Sequence, residues 1–206
     1  RTIPGMFAAG KKANALSHPV VLDSVGAGAS TLRTKTALDL LEQVHFAVIR
    51  GNISEIKTLA QGSGKTRGVD ADLSDAVTED NLEAAVAFAK EVAARFDSVV
   101  AITGAIDLVA DKERCFVIRN GRPEMGKITG TGCQLSGLTA AFVTANPEHT
   151  LEAAAAAVVT MGLVGELAFQ RLEEGEGSSS YRNRIIDAIY HMDGKQLMEG
   201  ARYEVR

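Results

Sequence analysis

Tryptophan is absent, aromatic residues make up 5% of the chain, and no basic run interrupts a formal net charge of −4, set by 22 basic and 26 acidic side chains. A protein without a cationic face or a stacking platform has little with which to hold a nucleic acid, and that class of partner is excluded. Cysteine is scarce as well. Cys115 and Cys133 are too few for a disulfide framework and lack the paired spacing or histidine neighbours of a zinc site, which fits a reducing, cytoplasmic setting. No cationic start leads into an apolar signal core. The most apolar run, Ala153–Gly165 between Glu152 and Glu166, is shorter than the roughly 20 residues a bilayer requires, so it reads as a buried helix and no membrane partner is expected.

What the chain does have is apolar material. With 206 residues, 46% hydrophobic and 23% charged, it can bury one sizeable core and is expected to form a single domain over residues 1–206. It opens directly on a helical pattern (Ile3, Met6, Phe7, Ala13, Leu16), as though a first element preceded it. Short, continuously apolar, β-branched runs then alternate with helical periodicity. Pro19–Asp23, Phe46–Arg50 and Ser98–Thr103 read as buried strands, and Thr34–Val44 and Thr78–Phe96 as helices, the latter with Thr78 and Asn81 as candidate caps. Gly51–Glu55 reads as a turn feeding a short helix, and Gln61–Asp75 as an exposed excursion. Leu108–Asp111 and Cys115–Ile118 predict an antiparallel hairpin at a sheet edge. Three helices follow, over Gly132–Ala145, His149–Leu172 and Tyr181–Met192. The fold class is α/β, a mostly parallel central sheet covered by helices on both faces. Such sheets bind ligands beyond the carboxyl ends of their strands, here the loops Asp23–Ser30, Arg50–Glu55, Thr103–Asp107 and Thr129–Cys133.

Two glycine patterns carry little. Gly62-Ser63-Gly64-Lys65-Thr66 matches the end of a phosphate-binding P-loop, but Leu59 stands where the first glycine belongs and the segment follows a helix. Gly26-Ala27-Gly28 begins a dinucleotide fingerprint that Thr31 breaks. The strongest local signal is Gly130-Thr131-Gly132-Cys133 directly before an apolar helix. Unpaired amides at a helix start, with the helix dipole behind them, form an anion hole. The same field favours the thiolate, which makes Cys133 a candidate base or nucleophile; packing as a small hydrophobe is the competing reading. Cys115, in a strand beside Phe116, Val117 and Ile118, reads as structural. Asp23 and Glu55 follow two predicted strands, where carboxylates can hold magnesium through water beside phosphate oxygens; surface solvation is their alternative. The four histidines share no spacing and read as structural or surface residues.

Taken in order, Pro19–Ser30, Ile49–Ile56, Ala101–Gly104 with Asp107, and Thr129–Cys133 resemble the successive motifs of the hydroxyethylthiazole kinase family, within the ribokinase-like superfamily. The resemblance implies ATP- and Mg2+-dependent phosphorylation of the hydroxyl of 4-methyl-5-(2-hydroxyethyl)thiazole in thiamine salvage. It implies ATP contacts at Arg50 and Thr103, magnesium-site acids at Asp23 and Glu55, and a substrate contact at Gly130. Cys133 stands where most ribokinase-like enzymes carry the aspartate that activates the substrate hydroxyl. Two departures from the family pattern are Ser24, in place of the usual proline, and Ile53, in place of a common alanine. Family members also carry an additional N-terminal strand and helix and assemble as homotrimers with active sites at subunit boundaries, so the chain is expected to begin inside the fold. A hydroxymethylpyrimidine or pyridoxal kinase is the rival enzyme, and a noncatalytic nucleotide-binding module the rival of another class.

Overall fold

The computed structural model describes residues 2–62 and 76–206. The P-loop-like tetrapeptide Ser63–Thr66, and the rest of the expected excursion up to residue 75, lie outside them. After helix α1 (Thr2–Ala15) the chain alternates: β1 (Val21–Asp23), α2 (Thr31–Gln43), β2 (Val48–Asn52), α3 (Ile53–Gly62), α4 (Leu82–Phe96), β3 (Val99–Thr103). Two further strands follow, β4 (Asp107–Ala110) and β5 (Cys115–Ile118). Helices α5 (Thr131–Ala145), α6 (Thr150–Gln170), α7 (Ser178–His191) and α8 (Gly194–Gly200) precede a last strand, β6 (Tyr203–Val205).

All six strands form one sheet in the order β1-β2-β3-β4-β5-β6. The α/β class holds, but the sheet is mixed. Strands β1, β2 and β3 pair in parallel, whereas β3–β4, β4–β5 and β5–β6 are antiparallel. The expected hairpin of β4 and β5 is present, although not at the edge: β6 covers β5, aligning Phe116 with Val205 and Ile118 with Tyr203. Neither β6 nor α8 is anticipated by the sequence reading, because each is too short to show a period. Nor do Gly51–Glu55 form a separate turn, since strand β2 runs to Asn52 and α3 starts at Ile53.

Alternate strand residues supply two cores. Ile49, Val100, Ile102, Leu108 and Val117 pack with Leu40, Ile56, Leu59, Val86 and Phe88 of α2, α3 and α4. Val48, Ala101, Val109 and Ile118 pack on the opposite face with Leu135, Val158, Val164 and Ile185 of α5, α6 and α7. Continuous apolar strands are what a sheet covered on both faces requires. Helix α6 runs on well past the Ala153–Gly165 stretch to 21 residues. By length and composition it could cross a bilayer, yet 78% of its most apolar window is buried within the protein, as in a core helix. Cys115 is fully buried, and burial pushes its thiol up to about 12. The four histidines are exposed.

Candidate active site

Parallel pairing brings the carboxyl ends of β1, β2 and β3 together: Asp23 lies opposite Arg50, and Asn52 opposite Thr103. Arg50 points from the sheet toward the first turn of α5. Its Nη1 donates to Asp23 Oδ2 at 2.7 Å, Ser136 Oγ at 3.0 Å and the Gly132 carbonyl at 3.1 Å. Ser136 Oγ also lies 2.7 Å from Asp23 Oδ2. The guanidinium is almost sealed, with the side chain 7% exposed, and its Nε has no partner. A buried cation with an unsatisfied donor is a place where an anion is stabilised.

Helix α5 presents such a place directly above it. Gly130, at φ 102°, turns the chain into the helix in a conformation that a side chain would strain, and no side chain caps the start. The first intrahelical bond runs from the Gln134 N–H to the Gly130 carbonyl at 2.9 Å. The amides of Thr131, Gly132 and Cys133 therefore have no intrahelical acceptor, and the dipole adds positive potential there.

Between these groups opens a cleft of about 510 Å³. Arg50, Thr103, Thr131 and Gly132 line one side, Asp107 the β3–β4 turn, and Arg122 the segment after β5, over an apolar floor from α6. The structure thus brings Arg50, Thr103, Thr131 and Gly132 to one cavity, with Asp23 behind Arg50. Gly130 and Cys133 adjoin it at the helix start, outside the lining, and the Cys133 thiol is exposed. Glu55 sits across the Asp23–Ser30 loop, accepting from the Gly26 amide at 2.7 Å and the Asn52 amide at 2.8 Å. Its nearness explains Gly51: a Cβ there would collide with Ser24 Oγ and come within 3.0 Å of Glu55 Oε2.

Sequence reasoning missed two contributors. Ser136 gives no local signal beyond standing one helical turn after Gly132, on the same face. Asp107 lies just after Ala101–Gly104, and the sequence alone points to no function for it. It is half-buried, accepts the Gly104 amide at 2.8 Å, and desolvation pushes its carboxyl up to about 7 against the pull of that amide and of Arg50.

Neither Asp23 nor Glu55 lines the cleft, and carboxylates set back from it in this way suit a magnesium ion reached through water, a coordination Mg2+ accepts. Asp23 is neutralised by Arg50, whereas Glu55 meets only backbone amides in the hydrogen bonds above. Among the described residues no group of three or more His, Cys, Asp or Glu could hold an ion by protein ligands alone.

A sheet whose strand ends carry a buried arginine, facing an uncapped glycine-started helix, defines a phosphotransferase of ribokinase-like architecture. The solved pyridoxal kinase of Staphylococcus aureus shares that fold at a TM-score of 0.56 and 17% identity, over 98% of this chain and 67% of its own. The chain belongs to the hydroxyethylthiazole kinase family, whose model matches residues 1–195. A hydroxyethylthiazole kinase of Clostridium acetobutylicum is 56% identical over 203 residues, covering 98% of this chain and 74% of that protein. The solved hydroxyethylthiazole kinase of Pyrococcus horikoshii OT3 superposes with a TM-score of 0.83 at 32% identity, over 99% of this chain and 72% of its own.

Proposed function

We propose that this protein transfers the γ-phosphoryl group of ATP to the side-chain hydroxyl of 4-methyl-5-(2-hydroxyethyl)thiazole, a step of thiamine salvage. The observation that carries this reading is the buried Arg50 guanidinium, with its unpartnered Nε, beneath the free amides of α5. Arg50 and Thr103 hold the nucleotide phosphates. The amides of Thr131, Gly132 and Cys133 take up charge on the phosphoryl group in flight, which is where most of the rate in phosphoryl transfer originates. Mg2+, carried by Asp23 and Glu55 through water, supplies charge neutralisation on the phosphate oxygens when bound. Gly130 contacts the thiazole alcohol through its backbone, and Cys133 accepts the hydroxyl proton late in the attack.

The protein acts as a homotrimer in the cytoplasm, a reading that rests on the family resemblance; light scattering checks the trimer. Competition among three alcohols tests the substrate. With ATP and magnesium, turnover of the thiazole alcohol is expected to exceed that of hydroxymethylpyrimidine and of pyridoxal; preference for the pyrimidine overturns the assignment. Nucleotide binding without turnover of any of them supports a noncatalytic module instead.

A further inference from the structure

Arg50, Thr103 and the α5 amides, assigned to the nucleotide phosphates above, all favour an anion, but one further group in the same cleft does not. Asp107 places a carboxylate in the wall of the same cleft, and no cation lies within ion-pairing distance of it among the described residues. It opens β4 immediately after the β3–β4 turn, with Oδ1 held by the Gly104 amide at 2.8 Å. The groups that share the cleft with it, or pair with it across the sheet, are few. From β2 comes Arg50, whose Nη1 is already committed to Asp23 Oδ2, Ser136 Oγ and the Gly132 carbonyl. From β3 comes the Thr103 hydroxyl, which lies 3.4 Å from the Gly51 carbonyl. Its cross-strand neighbour on β5 is the apolar Ile118. From the segment after β5 come Asn120, whose amide donates to the Gly200 carbonyl, and Arg122, which is paired with Glu124 and lies over the Phe169 ring at 3.9 Å. Helix α5 offers Thr131 and Gly132, and α6 offers Val158, Met161 and Gly162, none of them charged.

We propose that nucleotide binding draws a proton onto Asp107, so that the acid serves the bound state as a neutral positioning residue for the Thr103–Gly104 turn. This rests on the cleft being the nucleotide site. A polyphosphate entering it does two things to this carboxylate: it removes the remaining water, and it brings negative charge close. Both disfavour the ionised form. The free protein is poised for the change, since burial already holds the acid at about 7. The proton comes from buffer, and the neutral carboxyl keeps one oxygen for the Gly104 amide while gaining a hydroxyl that can donate toward the ligand. Affinity for the nucleotide therefore falls as pH rises through neutrality, by linkage.

Calorimetry of the magnesium complex of a non-hydrolysable ATP analogue, repeated in buffers of different ionisation enthalpy at about pH 8, reads the proton count directly. The wild-type protein is expected to take up at least about 0.4 proton more per nucleotide than Asp107→Asn, a comparison in which ionisation of the analogue itself cancels. Asparagine keeps the acceptor for Gly104, and an unchanged Tm near pH 4, where the acid is protonated in the folded protein, checks that the variant folds as the parent does. Equal proton counts for the two proteins, or release by the wild type, overturn the proposal while leaving the nucleotide site intact. Absence of any heat of binding overturns the nucleotide site itself, and the proposal with it. Carboxyl-carbon NMR of the wild type gives a second measurement: saturating nucleotide is expected to raise the Asp107 titration midpoint by at least one pH unit, and an unmoved midpoint again overturns the proposal.

Discussion

The parallel and antiparallel halves of the sheet use charged residues in opposite ways. Strands β1, β2 and β3 run in the same direction, so their polar ends Asp23, Arg50 and Thr103 converge, and Arg50 is held with donors to spare. In β4, β5 and β6 the direction alternates, and charges near the strand ends close on one another at the surface. Arg119 pairs with Glu79 at 2.9 Å and Glu204 at 3.0 Å, and Arg206 with Glu204 at 2.9 Å. The first half leaves an ionic demand for a ligand to meet; in the second, Arg119 and Arg206 find acidic partners of their own. The function of the first half is paid for in unsatisfied polar groups, while the second is built for closure.

Substitutions in the two halves should separate accordingly. Arg50→Ala has the largest expected effect. It removes the buried cation, leaves Asp23 without its ion pair, and is expected to lower kcat/KM by roughly a thousandfold and stability by about 2–3 kcal/mol, read by steady-state kinetics and denaturant unfolding. Cys133→Ala comes next. If the exposed thiol accepts the substrate proton, kcat falls by roughly a hundredfold at nearly constant ATP affinity; an unchanged kcat makes the thiol incidental.

Asp107 joins the two halves and is expected to show in stability as a function of pH. Its carboxyl titrates higher in the folded protein than in the unfolded chain, from an ordinary 3.8 to about 7. The stabilisation is therefore full below about pH 4 and is lost as pH rises to about 7. Asp107→Asn should flatten that decline and leave the variant more stable than the wild type above neutrality, by a few kcal/mol at most. A Tm profile that declines equally in both proteins contradicts the assignment. Arg119→Ala is the smallest test. With Arg119 only partly buried and both acids more exposed, its loss should lower Tm by no more than ~2 °C and leave kcat/KM unchanged.

The parallel half was legible in the amino-acid order because a strand buried on both faces must be continuously apolar, and Val48-Ile49 and Val99–Ile102 are. Its polar termini then stand out by contrast, which marks Asp23, whereas the roles of Arg50 and Thr103 come from the resemblance to hydroxyethylthiazole kinases. The antiparallel half was only partly legible. The pairing of β4 with β5 is written in the short turn Lys112-Glu113-Arg114, but β6 exists because Tyr203–Val205 finds a partner far back in the chain at Phe116–Ile118. No local pattern encodes such a pairing. Ser136 escaped for the same reason: a serine in a helix acquires meaning only when β1 brings Asp23 to it. Asp107 escaped because its character comes from desolvation, a property of the assembled cleft.

Helix α6 carries one more consequence. Buried along nearly its whole length, from Leu151 to Ala168, it has no face from which to loosen by itself. Its amide hydrogens can reach solvent only when the sheet, α5 and α7 come away together, so their exchange with deuterium measures the opening of the entire molecule, whereas the amides of Thr131, Gly132 and Cys133, which have no intrahelical acceptor, exchange without any such opening.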